Sequence, residues 1–303
     1  MSHYIIETQN LSHEFRRGER VPDGLDLRVP SGSVYGFLGP NGAGKTTTIR
    51  LLLGLLRTDG GKIEIFGKEF SKNRISILQQ VGALIEQPSL YGHLTGRENL
   101  EILRKTYGCD RKRIDQVLEM VSLTSAQRKK AKNYSFGMKQ RLAIGLALLN
   151  DPALLILDEP TNGLDPGGII ETRELIRDLN AQHGKTIIVS SHLLSEVEKM
   201  ATHAGIIHKG RLLFQGSLEQ LHLLKSKQSA IEIEVSNTKH AADLLGAGFR
   251  IKNINGSRIG LEFESKEQVA QMNRILVNGG VEVYQMAVTQ NDLENLFIQI
   301  TSE

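Results

Sequence analysis

The chain has 303 residues, 40% hydrophobic and 23% charged, with a formal net charge of +3. This is an ordinary soluble profile with room for two domains, and the small charge gives no ground for a nucleic-acid partner. A single cysteine, Cys109, rules out an internal disulfide and fits a reducing compartment, and no run approaches the roughly 18 apolar residues of a spanning helix.

Residues 4–8 alternate like a strand, and no apolar signal region precedes them. Phe15 follows in a polar loop between His13-Glu14 and Arg16-Arg17. An aromatic there suits a nucleobase platform or a core contact, and spacing leaves both open. Leu25, Leu27 and Val29 alternate with Asp26 and Arg28 and predict a second strand. Ser33–Leu38 predicts a buried strand, and a helix start is read from Thr47.

Between that strand and helix stands Gly39-Pro40-Asn41-Gly42-Ala43-Gly44-Lys45-Thr46, which matches GxxxxGK[ST], the phosphate-binding loop. Its glycines let successive N–H groups face one anion, and the following helix adds the positive end of its dipole. Lys45 is expected at the β- and γ-phosphates, and the Thr46 hydroxyl on Mg²⁺.

Asp59-Gly60-Gly61 reads as a turn, 62–66 as a strand, and 81–85 as a buried strand running into Glu86-Gln87-Pro88. Residues 95–107 and 111–121 read as helices. Arg128-Lys129-Lys130 with Lys132 reads as a solvated basic face. Ser135 is a good N-cap for an apolar helix from Met138 to about Leu149. Leu154–Leu157 is continuously apolar, as a strand buried on both faces of a parallel sheet must be. It ends in Asp158-Glu159. A helix at 169–183 and a strand at 186–189 follow, the strand ending in Ser190-Ser191-His192.

After a helix at 193–202 and strands at 205–208 and 211–215, the pattern loosens near Leu221–Gln228. A boundary there gives domains at 1–222 and 229–303. The second reads strand (230–235), helix (239–246), strand (249–254), strand (257–263), helix (266–278), strand (281–287) and helix (290–299). Its first six elements spell βαββαβ, a ferredoxin-like order.

Ligands gather at the carboxyl ends of strands in parallel sheets, so Asp158 and Glu159 are candidates for chemistry. An aspartate there supports Mg²⁺, and a glutamate beside the attacking water serves as general base. His192, at the end of the next strand, is placed to contact a γ-phosphate or orient the glutamate.

In this order, Gly39–Thr46, Ser135-Phe136-Gly137-Met138-Lys139-Gln140-Arg141, Leu154–Glu159, Gly163-Leu164-Asp165-Pro166 and His192 resemble the ATP-binding subunit of ABC transporters. The resemblance covers residues 4 to about 220. Ala83-Leu84-Ile85-Glu86 and the extra C-terminal domain look like the bacitracin-resistance and lantibiotic-immunity branch of exporters. The resemblance implies a P-loop NTPase of ABC type: a RecA-like α/β core, an antiparallel β subdomain and a helical signature subdomain at about 88–150.

It also implies roles. Phe15 takes the place of the adenine-stacking aromatic. Gly39, Pro40, Asn41, Gly42, Ala43, Gly44, Lys45, Thr46 and Thr47 bind ATP. Thr46, Asp158 and Glu86 attend Mg²⁺, with Glu86 or Gln87 in the place of the family's glutamine. Glu159 is the catalytic base and His192 the switch histidine. Two copies pair head to tail, so that Ser135, Gly137 and Met138 of one cap ATP on the other, with Asp165 in the loop crossing the seam. Phe136 replaces the first glycine of the family's Ser-Gly-Gly and is expected to point away from ATP. The implied partner is an integral membrane permease, with the chain cytoplasmic and peripheral on the inner face of the membrane. Its work would be ATP-driven export of antimicrobial peptides or antibiotics. The alternative is a soluble regulatory or ribosome-linked ATPase of the same type, but such proteins usually carry two nucleotide domains, and this chain has one P-loop.

Overall fold

The computed structural model describes residues 3–16, 18–85, 89–228 and 230–289. The chain divides into two compact units, Met1–Leu218 and Glu219–Glu303. Among the described residues, the first unit is built on a six-stranded sheet. Its order is Arg211–Ser217, His203–His208, Val34–Leu38, Thr186–Ser191, Leu154–Leu157, Val81–Leu84. All neighbours are parallel except the outermost pair, Arg211–Ser217 on His203–His208.

Burial explains why these segments are strands. Every residue of Val34–Leu38, Leu154–Leu157 and Thr186–Ser191 is buried, so both faces of the sheet are covered. A smaller antiparallel sheet packs Arg28–Pro30, Tyr4–Ser12, Gly60–Ile65 and Lys68–Glu69 side by side. Helices Gly96–Tyr107, Lys112–Met120 and Phe136–Leu148 form the helical part. Thr95 and Glu98 cap the first of these reciprocally, side chain to backbone in both directions. Phe136–Leu148 leans on Val81–Leu84 at Gly82, where an added Cβ would lie 2.1 Å from the Ala147 carbonyl oxygen.

The second unit has its own core, centred on Ile231, Ile233, Ile259, Leu261, Met272 and Leu276. Its four strands lie in the order Ile251–Asn255, Arg258–Glu262, Ala230–Val235, Val283–Thr289, each pair antiparallel. Helices Thr238–Gly246 and Lys266–Asn278 cover one face. This is the arrangement that a ferredoxin-like βαββαβ order produces.

Several elements differ from expectation. Leu25, Leu27 and Val29 are buried, but only Arg28–Pro30 is a strand. The Thr8 hydroxyl interposes, donating to Leu25 O at 2.7 Å and accepting from Leu27 N at 2.8 Å. The helix expected at 193–202 is only Leu194–Glu198, because Thr202 N returns to the sheet on Val34 O at 2.8 Å. The helix expected at 169–183 begins earlier, at Pro166, with Asp165 as its N-cap. Helix Phe70–Leu78 was not anticipated, and helix Leu218–Gln228 occupies the stretch where the pattern loosens. The helix read at 290–299 lies outside the described residues.

Candidate functional site

The buried strand Val34–Leu38 delivers the chain into Gly39–Gly44, which leads directly into helix Lys45–Leu52. Gly42 and Gly44 take φ of 81° and 109°, open to a residue without a Cβ. The helix has no side-chain cap, so its first amides are not claimed by a side-chain acceptor. Such amides, with the dipole behind them, form an anion site. Gly210 N donates to Ala43 O at 3.0 Å and braces the loop from outside. Lys45 is 6% exposed, and its Nζ donates to Gly39 O at 2.7 Å, folding the ammonium back over the loop.

The acids come from the neighbouring strand ends. Asp158 is buried, and its two carboxylate oxygens are divided between two hydroxyls. Thr46 Oγ1 donates to Oδ2 at 2.8 Å, and Ser190 Oγ donates to Oδ1 at 2.5 Å. Ser190 Oγ also accepts from Glu159 N at 2.8 Å. Glu159 has φ of 47°, a left-handed conformation that is uncommon away from glycine and tends to cluster at functional sites. Its carboxylate lies between two cationic or titratable partners: Lys45 Nζ at 3.3 Å from Oε1 and His192 Nδ1 at 3.0 Å from Oε2. The structure thus brings Lys45, Thr46, Asp158, Glu159 and His192 together.

A cleft of about 300 Å³ opens over this group, lined by Phe15, Glu19, Val21, Asn41, Gly42, Gly44, Lys45, Thr46, Thr47 and Glu159. Phe15 sits not in a loop but on a short ribbon, Glu14–Arg16 paired with Glu19–Arg20, and is 53% exposed. Glu86 and Gln87 lie outside the described residues.

Ser135, Gly137, Met138 and Asp165 do not line this cleft. Ser135 caps helix Phe136–Leu148, its Oγ accepting from Met138 N at 3.2 Å. Asp165 Oδ1 accepts from Gly168 N at 2.9 Å. The two segments meet: a Cβ on Gly163 would lie 3.4 Å from the Phe136 ring, and one on Gly137 would lie 3.8 Å from Leu164. Phe136 therefore turns toward the Gly163–Asp165 loop.

A family model described as "ABC transporter" matches residues 22–162. The chain is 43% identical to the bacitracin transport ATP-binding protein BcrA of Bacillus licheniformis, over 98% of its own length and 97% of that protein. It belongs to the ABC transporter ATP-binding family. A lantibiotic transport ATP-binding protein, SrtF of Streptococcus pyogenes, is 40% identical over 70% of this chain and 90% of its own length. Among solved structures, cbiO1 of Clostridium perfringens, part of the ABC transporter complex cbiONQ, matches with a TM-score of 0.69 and 27% identity. That match covers 73% of this chain and 92% of cbiO1.

As an ABC ATP-binding subunit the chain binds and hydrolyses ATP. In this ABC site the sequence reading missed Ser190, Glu19 and Val21. Ser190 becomes visible only once Thr186–Ser191 is paired in register with Leu154–Leu157, which ends with Val189 on Leu157 and brings the next residues, Ser190 and Asp158, into hydrogen-bond contact. Glu19 and Val21 reach the cleft through the ribbon, which has no motif of its own.

Proposed function

We propose that this ABC subunit is the motor of an exporter, acting as a pair of chains that sandwich two ATP molecules head to tail. The separation of Ser135–Met138 from the chain's own cleft carries this reading. A helix N-terminus capped by Ser135, with a close-approach glycine behind it, is useful to a triphosphate only on a second chain. The Gly163–Asp165 loop, packed beside it, would then lie along the seam.

Within each site Lys45 and the loop amides would hold phosphate oxygens, and Phe15 would carry the base. Glu159 would take a proton from the attacking water. His192, bonded to the same carboxylate, would keep it aimed. The hydroxyl and carboxylate oxygens of Thr46 and Asp158, adjacent at 2.8 Å, make an oxygen-only donor set that suits Mg²⁺. The ion would supply charge neutralisation at the phosphate oxygens.

Among the described residues no helix is long and apolar enough to cross a membrane. The permease would therefore be a separate integral membrane subunit, with this chain docked on its cytoplasmic side. The names of BcrA and SrtF support bacitracin-like or lantibiotic-like peptides as cargo. The test is light scattering of Glu159→Gln at saturating Mg-ATP. A dimer is expected there, and a monomer would overturn the sandwich. Co-purification with a polytopic membrane protein tests the permease.

A further inference from the structure

We infer that His13 is a positioning residue for the base end of the cleft, fixing the ring of Phe15 and the adjacent Val21 from behind. The inference rests on the reading of Phe15 as the nucleobase platform. Phe15 is a half-exposed aromatic on a two-rung ribbon, a weak scaffold for a rigid platform. Something other than the ribbon has to hold the ring.

His13 is in contact with it. The two rings meet edge to face, with centroids 4.7 Å apart and planes at 79°. This is a favoured geometry for aromatic pairs. Unlike Phe15, His13 is mostly buried, with its side chain 13% exposed. Its backbone is bonded on both sides to the segment that lines the cleft: His13 N donates to Pro22 O at 3.0 Å, and Val21 N donates to His13 O at 2.8 Å. One residue therefore touches both apolar liners of the base end, Phe15 through its ring and Val21 through its carbonyl.

His13 is itself anchored from a distant turn. Its Nδ1 lies 2.9 Å from Asp59 Oδ2. The same Asp59 oxygen accepts from Glu14 N at 2.8 Å, and Asp59 N donates to Ser12 O at 3.0 Å. Residues 12–14 are thus held at three points by one aspartate from the turn between helix Lys45–Leu52 and strand Gly60–Ile65. Asp59 is held below the ordinary carboxylate range, chiefly by the Glu14 amide. It stays ionised as the anchor through the physiological range.

A positioning role at the base end makes a specific demand: loss of His13 must weaken ligands that carry a base and spare those that do not. The experiment is calorimetric titration of the full chain with Mg-ATP and, separately, with magnesium tripolyphosphate. It compares wild type, His13→Ala, Phe15→Ala and the double variant. Loss of the edge-to-face contact that orders the ring predicts a fall in ATP affinity of up to about 12-fold in His13→Ala. Tripolyphosphate affinity should be unchanged, and in the Phe15→Ala background the His13 substitution should add little.

His13→Gln, which keeps a polar contact for Asp59 but no ring, should lose ATP affinity to the same extent. It supplies the test if His13→Ala folds poorly. Unchanged ATP affinity in both His13 variants, beside a clear loss in Phe15→Ala, overturns the inference and leaves the Phe15 reading standing. Equal losses for ATP and tripolyphosphate overturn it as well, since they mark general damage to the loop. Unchanged ATP affinity in Phe15→Ala overturns the platform reading itself.

Discussion

Ser190 meets Asp158 at the ends of two parallel strands and donates its hydroxyl to that carboxylate at 2.5 Å. The same oxygen receives the Glu159 amide, so one small side chain fixes both acids of the site. Ser190→Ala should leave each short of a partner. A hydrogen bond to a charged group contributes about 1.5–3 kcal/mol, so turnover should fall about 10- to 150-fold. Steady-state hydrolysis at saturating Mg-ATP checks this, and Ser190→Thr should restore part of the rate.

Lys45 and Glu159 make a second test. Their contact at 3.3 Å places an internal anion where the proposed site would receive phosphate oxygens. Glu159→Gln removes that competitor and also the proposed base. It should bind Mg-ATP at least as tightly as wild type, while single-turnover hydrolysis drops on the order of 100-fold. Lys45→Ala should instead weaken binding outright. Intact hydrolysis in Glu159→Gln would remove it as the base.

Gly82 tests how the helical part is seated. An added Cβ would lie 2.1 Å from a backbone oxygen, which has no flexible end to move. Gly82→Ala should therefore destabilise the first unit by about 1–3 kcal/mol, the usual range for overpacking. Urea unfolding followed by circular dichroism measures this.

Asp151 carries a pH dependence. Lys185 donates to its Oδ1 at 2.7 Å and Arg113 at 3.0 Å, and these contacts, the Lys185 bond foremost, hold its carboxyl below the usual 3.8. A carboxylate depressed in the folded state adds stability that is present above the unfolded value and lost as pH falls through the folded one. The advantage of wild type over Asp151→Asn should be full near neutrality and fade below pH 3.8. Its side chain is 66% exposed, so solvent screening keeps the advantage small. Thermal melts of both proteins from neutral pH into acid check the sign.

What the sequence made legible depended on whether the determinant was local. The P-loop, the Ser135 cap and the buried runs before Asp158 and His192 each carry their cause within a few residues. The Asp165-Pro166 start of its helix is equally local, an N-cap followed by proline at the first turn, although the resemblance puts Asp165 in a loop. Helix Phe70–Leu78 had a fainter signal. Phe70 and Ile77 are buried, but Ile75 is 78% exposed and Asn73 breaks the helical backbone at φ −127°. No regular stripe survives that pattern.

The rest was illegible because its cause lies far away in the chain. Ser190 acts through strand pairing, and the Leu25–Val29 ladder is shortened by the hydroxyl of Thr8. Spacing alone leaves Phe15 two readings, and in the structure it lines the cleft beside the P-loop residues. Its neighbour His13 drew no notice, since one histidine in a polar stretch has no pattern to read.

The parallel register itself has a consequence for how the protein fails. Leu38 pairs with Ser191, and Leu157 with Val189, so the P-loop, the acid pair and the histidine leave the sheet from one shared edge. A slip of one residue in the central strand would turn its side chains to the opposite faces and carry all three groups out of line together. Assembly of the proposed catalytic group and pairing of these strands should then be a single cooperative event. Slow amide exchange along Thr186–Ser191 and the capacity to hold nucleotide should rise and vanish in step, with no stage at which a folded core carries a half-built site.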